Sequence, residues 1–295
     1  MSKAQGPLAF EDFYAGVFGD RWPALRRALN QRERQVLRPA FSADASGGEV
    51  PWLPGALWFT PERAEMTLTR NPAGLLTYYV MDPTSVLAAR ALDARPGERV
   101  LDLCAAPGGK TLVLLETGAR VVANEPSRAR RDRLTQVIRQ YATPEARTRV
   151  EVKGRDGERY GMAEPGAFDA VLVDAPCSGE RHLLSHEDEL AEWSEARSRR
   201  LAARQYALLA SALLCLKPGG RLVYSTCALS PLENDAVVER LLSKKKDKVR
   251  VESDSTPPSP WAERTEHGWI HLPDRGGCGP LYFARLRRAP EGAAS

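Results

Sequence analysis

The chain has 295 residues, 43% of them hydrophobic, and a formal net charge of +4. This length excludes a minimal domain and fits one large α/β domain with an extension. The longest apolar run, residues 206–216, is shorter than the ~20 residues that a membrane span needs. No secretory signal pattern opens the chain, and five cysteines without a framework spacing indicate a reducing compartment.

The first region, residues 1–95, is predicted to be a mainly helical extension. Apolar side chains at Phe13, Tyr14, Val17 and Phe18 indicate a helix near the start. Residues 41–55 are rich in Gly and Pro and predict a loop.

From residue 98 onward, predicted strands and helices alternate, which favours a doubly wound, Rossmann-like α/β sheet. We expect mostly parallel strands with an antiparallel closing strand, a catalytic domain at 96–289 and a flexible tail at 290–295. The predicted strands cover residues 98–104, 119–125, 149–154, 168–176, 221–227, 268–274 and 281–288. One predicted helix begins at about Lys110, and two more cover residues 127–141 and 193–216. A fourth follows the strand at 221–227 and ends at about residue 243.

The stretch LDLCAAPGGKT, residues 101–111, forms a predicted strand-to-helix turn. Its small residues let the backbone approach a ligand closely, and Glu125 at the end of the next strand can bind ribose hydroxyls. Two cofactors fit this pattern, a nicotinamide dinucleotide and S-adenosylmethionine. The loop lacks the G-x-G-x-x-G turn of dinucleotide sites, which favours S-adenosylmethionine.

Three further polar residues follow predicted strand ends or the glycine turn. Asp156, before Gly157, can meet an adenine amino group, although Asp-Gly is also an ordinary turn pair. Asp174 ends the fourth strand, where side chains face the ligand crevice of such sheets. Lys110 lies either near the reacting groups or exposed on the first helical turn.

Two predicted strands end at a cysteine. These are Cys177 in FDAVLVDAPCSG and Cys227 in RLVYSTC. A thiolate adds readily to an electron-poor ring. Addition at C6 of cytosine, helped by an acid near N3, makes C5 nucleophilic enough to accept a methyl group. A base must then remove the C5 proton so that the thiol can leave.

These motifs resemble those of the Nop/Sun family of RNA cytosine-5 methyltransferases. LDLCAAPGGKT, VLVDAPCSG and YSTCALSPLEN look like its cofactor, Asp-Ala-Pro-Cys and Thr-Cys motifs. The resemblance covers residues 13–288. FGDRWPALRRAL, YYVMDPTS and CGPLYFARLRR are similar to the mitochondrial members, which act on small-ribosomal-subunit RNA or transfer RNA without a separate RNA-binding domain.

The resemblance implies a role for each matching residue. Cys227 would be the nucleophile, Cys177 would assist product release, and Asp174 would contact the target cytosine beside the cofactor. No metal is expected. The S-adenosylmethionine site would be lined by Cys104, Ala105, Ala106, Pro107, Gly108, Gly109, Lys110, Glu125, Arg130, Asp156, Gly157 and Asp174.

Two departures from the family pattern stand out. Glu125 replaces the more usual Asp, one methylene longer but with the same charge. The run ERHLLSHEDE after Gly179 replaces the TGVLRRHPD-like run of the common bacterial members, so the target RNA need not be theirs.

Three alternative functions remain at this point. An amino-group methylase is disfavoured, because its Asn/Asp-Pro-Pro-aromatic turn is replaced by Asp-Ala-Pro-Cys. A DNA cytosine-5 enzyme would use the Pro-Cys cysteine as nucleophile, which would exchange the roles of Cys177 and Cys227. An RNA-binding ribosome assembly factor on the same fold is the non-enzymatic alternative.

The expected partner is RNA, either rRNA or tRNA, with an assembled ribosomal subunit or a partner protein as further candidates. We expect a monomer without membrane contact, cytoplasmic in a bacterium and mitochondrial in a eukaryote. Basic clusters at 21–38, 128–133 and 244–250 are candidates for phosphate contacts.

The remaining cysteines and the histidine pair carry weaker signals. Cys104 and Cys215 are also candidates for core packing, and Cys278 has no assigned role. His182 and His186, four residues apart, lack the further ligands that a metal site needs.

Overall fold

The computed structural model describes residues 5–41, 48–252 and 256–291. Its strands form a three-stranded sheet of β1–β3 and a nine-stranded central sheet of β4–β12. The strands are β1 Val36–Pro39, β2 Leu57–Trp58, β3 Tyr78–Met81, β4 Arg99–Asp102, β5 Arg120–Asn124, β6 Val150–Lys153, β7 Phe168–Asp174, β8 Leu216–Thr226, β9 Val249–Val251, β10 Ala262–Arg264, β11 Trp269–His271 and β12 Leu281–Arg288.

Helices cover both faces of the central sheet and fill the N-terminal region. They are α1 Pro7–Phe18, α2 Trp22–Asn30, α3 Pro83–Arg90, α4 Gly109–Glu116, α5 Arg128–Tyr141, α6 Pro144–Arg147, α7 Tyr160–Ala163, α8 Glu180–Leu184, α9 Glu187–Ala191, α10 Glu195–Cys215, α11 Asp235–Lys244 and α12 Pro273–Gly276. Among these described helices, none is both long and apolar enough to cross a membrane.

The central sheet confirms the predicted topology. Strands β6, β5, β4, β7 and β8 are parallel neighbours in that order, and β12 pairs with β8 in the antiparallel direction. One apolar cluster packs on each face of this sheet, which explains the continuous apolar run of β7. The carboxyl ends of five parallel strands therefore meet along one edge, as a doubly wound sheet requires.

The N-terminal region contains the predicted helices and also a small sheet that the sequence pattern did not predict. Phe10 and Tyr14 of α1 pack with Trp22 of α2 and with Trp193, just before α10. The small antiparallel sheet runs in the order β2-β1-β3. Its strands are only two to four residues long, too short for alternation to identify them.

Some predicted bounds shift in the structure. Strand β8 begins at Leu216, not at residue 221, because Leu216 already pairs with Phe168 and the register then shifts before Ala170. Short strands β9 and β10 were not predicted. Part of the predicted loop at 41–55 and most of the predicted tail at 290–295 lie outside the described residues.

Candidate active site

The two predicted cysteines lie together because β7 and β8 are adjacent and parallel. Asp174 at the end of β7 is in register with Ser225 of β8, so the loops that follow both strands start side by side. The Sγ atoms of Cys177 and Cys227 are 3.0 Å apart, and both thiols are free.

The surroundings of these two cysteines differ. Cys227 is exposed on the wall of a cavity of about 530 Å³. Cys177 lies behind it and is half-buried. The hydrogen bond to Cys227 and burial raise the pKa of Cys177 well above its ordinary value, and nearby Glu180 and Glu233 act in the same direction. Cys177 is therefore held as a thiol.

A half-buried ion pair forms the next part of the wall. Lys110 Nζ lies 2.8 Å from Asp174 Oδ2, and Ser225 Oγ donates to the other carboxylate oxygen at 2.9 Å. Burial opposes the charge on Lys110, but the Asp174 carboxylate outweighs burial and raises the Lys110 pKa. The alternative of an exposed first-turn lysine is therefore wrong.

A second cavity, of about 230 Å³, lies beside the first along the glycine loop. Asp174, Lys110 and Ser85 line both cavities and form a shared wall. The predicted loop residues from Cys104 to Pro107, together with Gly109, line the second cavity. Groups bound in the two cavities would meet at the shared wall.

The second cavity has features that suit a small cationic ligand. Asp102 is fully buried, and its Oδ2 accepts from Thr111 Oγ1 at 2.7 Å. Within the described ranges its Oδ1 has no hydrogen-bond partner, and burial raises its pKa to about 7. A cationic group there would satisfy this oxygen. S-adenosylmethionine, with an ammonium and a sulfonium, fits this requirement.

Two glycines are needed where the loop enters α4. Gly108 adopts a φ of +119°, which strains other residues. A Cβ on Gly109 would lie 2.8 Å from the ring of Tyr79, which also lines the cavity. Tyr79 and Asp102 were not among the predicted site residues. Asp102 could have been found, because it is an acid at a strand end, as Asp174 is.

Glu125 and Arg130 contact each other beside the same loop. Glu125 is buried, and its Oε2 lies 3.3 Å from an Arg130 guanidinium nitrogen. Arg130 also donates to the Ala106 carbonyl oxygen at 3.0 Å. The structure thus brings both predicted residues to the loop, with Arg130 bridging it to Glu125.

Asp156 and Gly157 have a structural explanation of their own. Asp156 Oδ1 accepts from the Glu158 N–H at 3.0 Å and caps a short 3₁₀ turn. A Cβ on Gly157 would lie 2.8 Å from Leu208 Cδ2, so a larger residue would displace this side chain of α10. Asp156 stays exposed at the same edge of the sheet, and contact of either residue with the cofactor stays a prediction.

The other cysteines separate into two kinds. Cys104 packs partly against the core and also lines the second cavity, so packing alone does not describe it. Cys215 is fully buried in the core. Cys278 is buried too, and its thiol donates to the Gly276 carbonyl oxygen at 3.6 Å, which gives this cysteine a structural place.

His182 and His186 pack against each other. The rings of His182 and His186 have centroids 3.9 Å apart, and His182 Nε2 is 3.0 Å from Glu189 Oε1. His182 also lines the cavity that holds Cys227.

Three of the six arginines in the first basic cluster form internal ion pairs, and phosphate contacts by residues 21–38 stay a prediction. Arg21 pairs with Glu263 and Asp274, both more than two hundred residues away along the chain. Arg26 pairs with Glu11.

Two further arginines of this cluster make other internal contacts. Arg38 is 3% exposed and pairs with Glu116 at 2.6 Å. The Arg34 guanidinium lies 3.7 Å from the ring centroid of Trp58. The Arg38–Glu116 pair ties the N-terminal region to the rest of the molecule.

The third basic cluster, residues 244–250, lies at the opposite edge of the sheet from the cysteines. Arg250 of β9 is in register with Arg287 of β12. Arg287 is in register with Arg221 of β8, where the long pairing between β12 and β8 begins. Arg221 precedes Thr226 by five residues, or roughly 17 Å of strand. This cluster is not part of the site.

Comparison with known proteins decides the family. A family model described as 16S rRNA methyltransferase RsmB/F matches residues 89–287. The chain belongs to this family. It is an S-adenosylmethionine-dependent RNA cytosine-5 methyltransferase, which confirms the resemblance, the cofactor and the reaction class expected from the sequence.

Individual relatives agree with this assignment. The 5-cytosine rRNA methyltransferase NSUN4 of Mus musculus is 40% identical, with 96% of this chain and 89% of that protein covered. The mitochondrial tRNA (cytosine(34)-C(5))-methyltransferase of Mus musculus is 34% identical, with 97% and 94% covered. A methyltransferase homolog protein from Pyrococcus horikoshii has the same fold, with a TM-score of 0.77, 24% identity and 94% of each chain covered.

Proposed function

We propose that this enzyme methylates C5 of a cytosine through a covalent bond between Cys227 Sγ and C6 of the base. The observation that carries the proposal is the position of Cys227. Its exposed side chain lines the first cavity together with Asp174 and Lys110, and these two also line the second cavity. A base bound against Cys227 would lie next to the wall shared with the cofactor site.

The Lys110–Asp174 pair suits the polar edge of cytosine. The Lys110 ammonium offers a donor and the Asp174 carboxylate an acceptor, 2.8 Å apart. The donor matches the N3 acceptor of the base, and the acceptor matches its N4 amino donor. We assign these two residues to binding that edge. Lys110 then stabilises the negative charge that moves toward N3 when the thiolate adds to C6.

The thiolate addition makes C5 enamine-like and nucleophilic. S-adenosylmethionine, when bound, supplies the methyl group. Loss of the C5 proton to a base then re-forms the C5=C6 double bond and expels Cys227 as a thiolate. Cys177, a thiol 3.0 Å from that sulfur, can donate a hydrogen bond to the departing thiolate and so assist release.

The RNA target and assembly state are parts of the same proposal. We expect action on rRNA or tRNA as a monomer, on free RNA or on an assembled ribosomal subunit, because one chain lines both cavities. We also propose that residues 96–289 are the catalytic domain and residues 1–95 an extension that docks on it. Bisulfite sequencing of RNA from cells with and without the gene identifies the cytosine.

A denaturing gel of cysteine variants tests the covalent step. After incubation with that RNA and S-adenosylmethionine, Cys227→Ala should give neither methylation nor an adduct. Cys177→Ala should accumulate a detergent-stable protein–RNA adduct that disappears in the double variant. An adduct with Cys227→Ala but not with Cys177→Ala would exchange the two roles. Methylation intact in both single variants, with no adduct, would exclude thiolate catalysis.

A further inference from the structure

Two glutamates that the chemistry above does not use are fully buried behind the cysteines. Glu180 lies three residues after Cys177, and Glu233 lies six residues after Cys227. Burying a carboxyl group costs free energy unless hydrogen bonds compensate it. Their partners therefore indicate what the two side chains are for.

Each glutamate binds the backbone of the other cysteine's loop. Glu180 Oε2 accepts from the Leu229 N–H at 2.9 Å, two residues after Cys227. Glu233 Oε2 accepts from the Ser178 N–H at 2.9 Å, immediately after Cys177. We call this reciprocal arrangement the glutamate clasp.

Both members of the clasp are anchored to the surrounding elements. Glu180 Oε1 accepts from Tyr14 of α1 at 2.5 Å and from Ser178 Oγ at 2.6 Å. Glu233 Oε2 accepts from Gln205 Nε2 of α10 at 2.8 Å. The clasp therefore fixes the two loops to each other and to the helices behind them.

We propose that Glu180 and Glu233 are positioning residues that hold the Cys177 thiol against Cys227 for product release, and that Glu233 does so as a protonated acid. The inference rests on the proposed function, because it assigns the clasp to the release step of the covalent mechanism.

The protonated form of Glu233 follows from its partners. Gln205 Nε2 also donates to the Pro176 carbonyl at 2.9 Å, which fixes the orientation of the amide. Gln205 Oε1 and Glu233 Oε1 are then two buried acceptors without a donor among the described residues. A proton on Glu233 Oε1 would turn one of these two buried acceptors into a donor.

The surroundings of Glu233 also favour its protonated form. Burial and the Glu180 carboxylate raise the pKa of Glu233 to about 7. Tyr14, Cys177 and Tyr224 have raised pKa values and are neutral at pH 7. The donors Gln205 and Ser178 oppose the shift without reversing it.

Matched substitutions separate position from charge. Glu233→Gln keeps an acceptor for the Ser178 N–H and places an N–H donor where the proton of the acid would lie. Glu180→Gln can keep its acceptor for Leu229, because the hydroxyls of Tyr14 and Ser178 can turn to accept. The alanine variants at both positions remove the clasp.

The experiment follows methyl transfer and adduct together in a single turnover. The probe is RNA from cells lacking the gene, with S-adenosylmethionine labelled in its methyl group. Glu180→Ala and Glu233→Ala should accumulate the adduct because release slows by about 10- to 100-fold, while transfer into the adduct falls much less. Both glutamine variants should release product at close to the wild-type rate.

Three results would overturn the inference. In the first, methyl transfer and adduct fall together in the alanine variants, in proportion to the folded fraction measured by circular dichroism. The glutamates would then have a structural role only. Alanine variants that fold, transfer and release as the wild type does would remove the role in release. A Glu233→Gln variant as slow in release as Glu233→Ala would show that Glu233 works as a carboxylate.

The Cys177→Ala enzyme is the reference in each experiment. If it accumulates no adduct, the covalent proposal fails, independently of the glutamates. If it accumulates adduct and the alanine variants of the clasp do not, only the clasp inference fails.

Discussion

The two cysteine loops follow neighbouring parallel strands, but their surroundings differ. Cys227 is exposed to a cavity and faces the Lys110–Asp174 pair, whereas Cys177 has two buried glutamates behind it and keeps its proton. The same side chain after two neighbouring strands therefore meets two different environments. Exposure and neighbouring charge, not strand position, favour Cys227 as the attacking sulfur.

The largest expected effect tests the Cys227 side of this comparison. Asp174→Ala removes the carboxylate that pairs with Lys110 and should lower the methylation rate by about 100- to 1,000-fold, the range for losing one electrostatic group in a site. Ser225→Ala, which removes only a hydrogen bond to Asp174, is the control and should lose less than about 10-fold. A near-normal rate for Asp174→Ala would show that the Lys110–Asp174 pair does not take part in the mechanism.

The next test addresses the Cys177 side through stability. The pKa of Glu233 is about 7 in the folded protein and 4.5 ordinarily. The folded state therefore holds a proton that the unfolded state has lost, and the free energy of unfolding falls as pH rises from about 4.5 to 7. We expect this group to account for about 3 kcal/mol of that fall.

Urea denaturation across this pH range measures the effect. Glu233→Gln should show a shallower fall than the wild type, and the difference between the two curves cancels the contributions of other groups, Asp102 among them. Parallel curves for both proteins would mean that Glu233 is ionised in the folded state.

A smaller effect is expected at the cofactor end of the shared wall. Asp102→Asn should weaken S-adenosylmethionine binding by about 1–3 kcal/mol, because an amide N–H₂ would replace an acceptor at the cationic group. Wild-type binding should tighten as pH rises through about 7, where Asp102 ionises, and binding by the variant should not. Calorimetry at pH 6 and 8 checks both statements, and equal affinities would contradict them.

The smallest effect is expected far from both cysteines. Replacing Lys244, Lys246 and Lys248 with glutamine should leave the rate of methyl transfer within about 2-fold, since this cluster lies at the opposite edge of the sheet. The slope of log affinity against log salt should also stay unchanged. A slope smaller by about 2, as three lost phosphate contacts would give, would show that the RNA crosses that edge.

Local sequence was enough for the five parallel strands, β11 and β12 of the central sheet, although it missed the short strands β9 and β10. Alternating apolar segments specify strands and helices, and parallel connections put every carboxyl end on one edge. The glycine loop, Asp174 and both cysteines could therefore be assigned to that edge from their positions after strands alone. The short strands of the N-terminal sheet gave too little periodicity to be found.

Tertiary structure decided which side chains meet and how deeply they are buried. The sequence does not show that Arg21 pairs with residues at 263 and 274, so its cluster could be read as a phosphate surface. Nor does it show that Glu180 and Glu233 each reach the other cysteine's loop. Spacing along the chain fixes local backbone geometry, whereas ion pairing and proton affinity depend on burial and on groups that are distant in sequence.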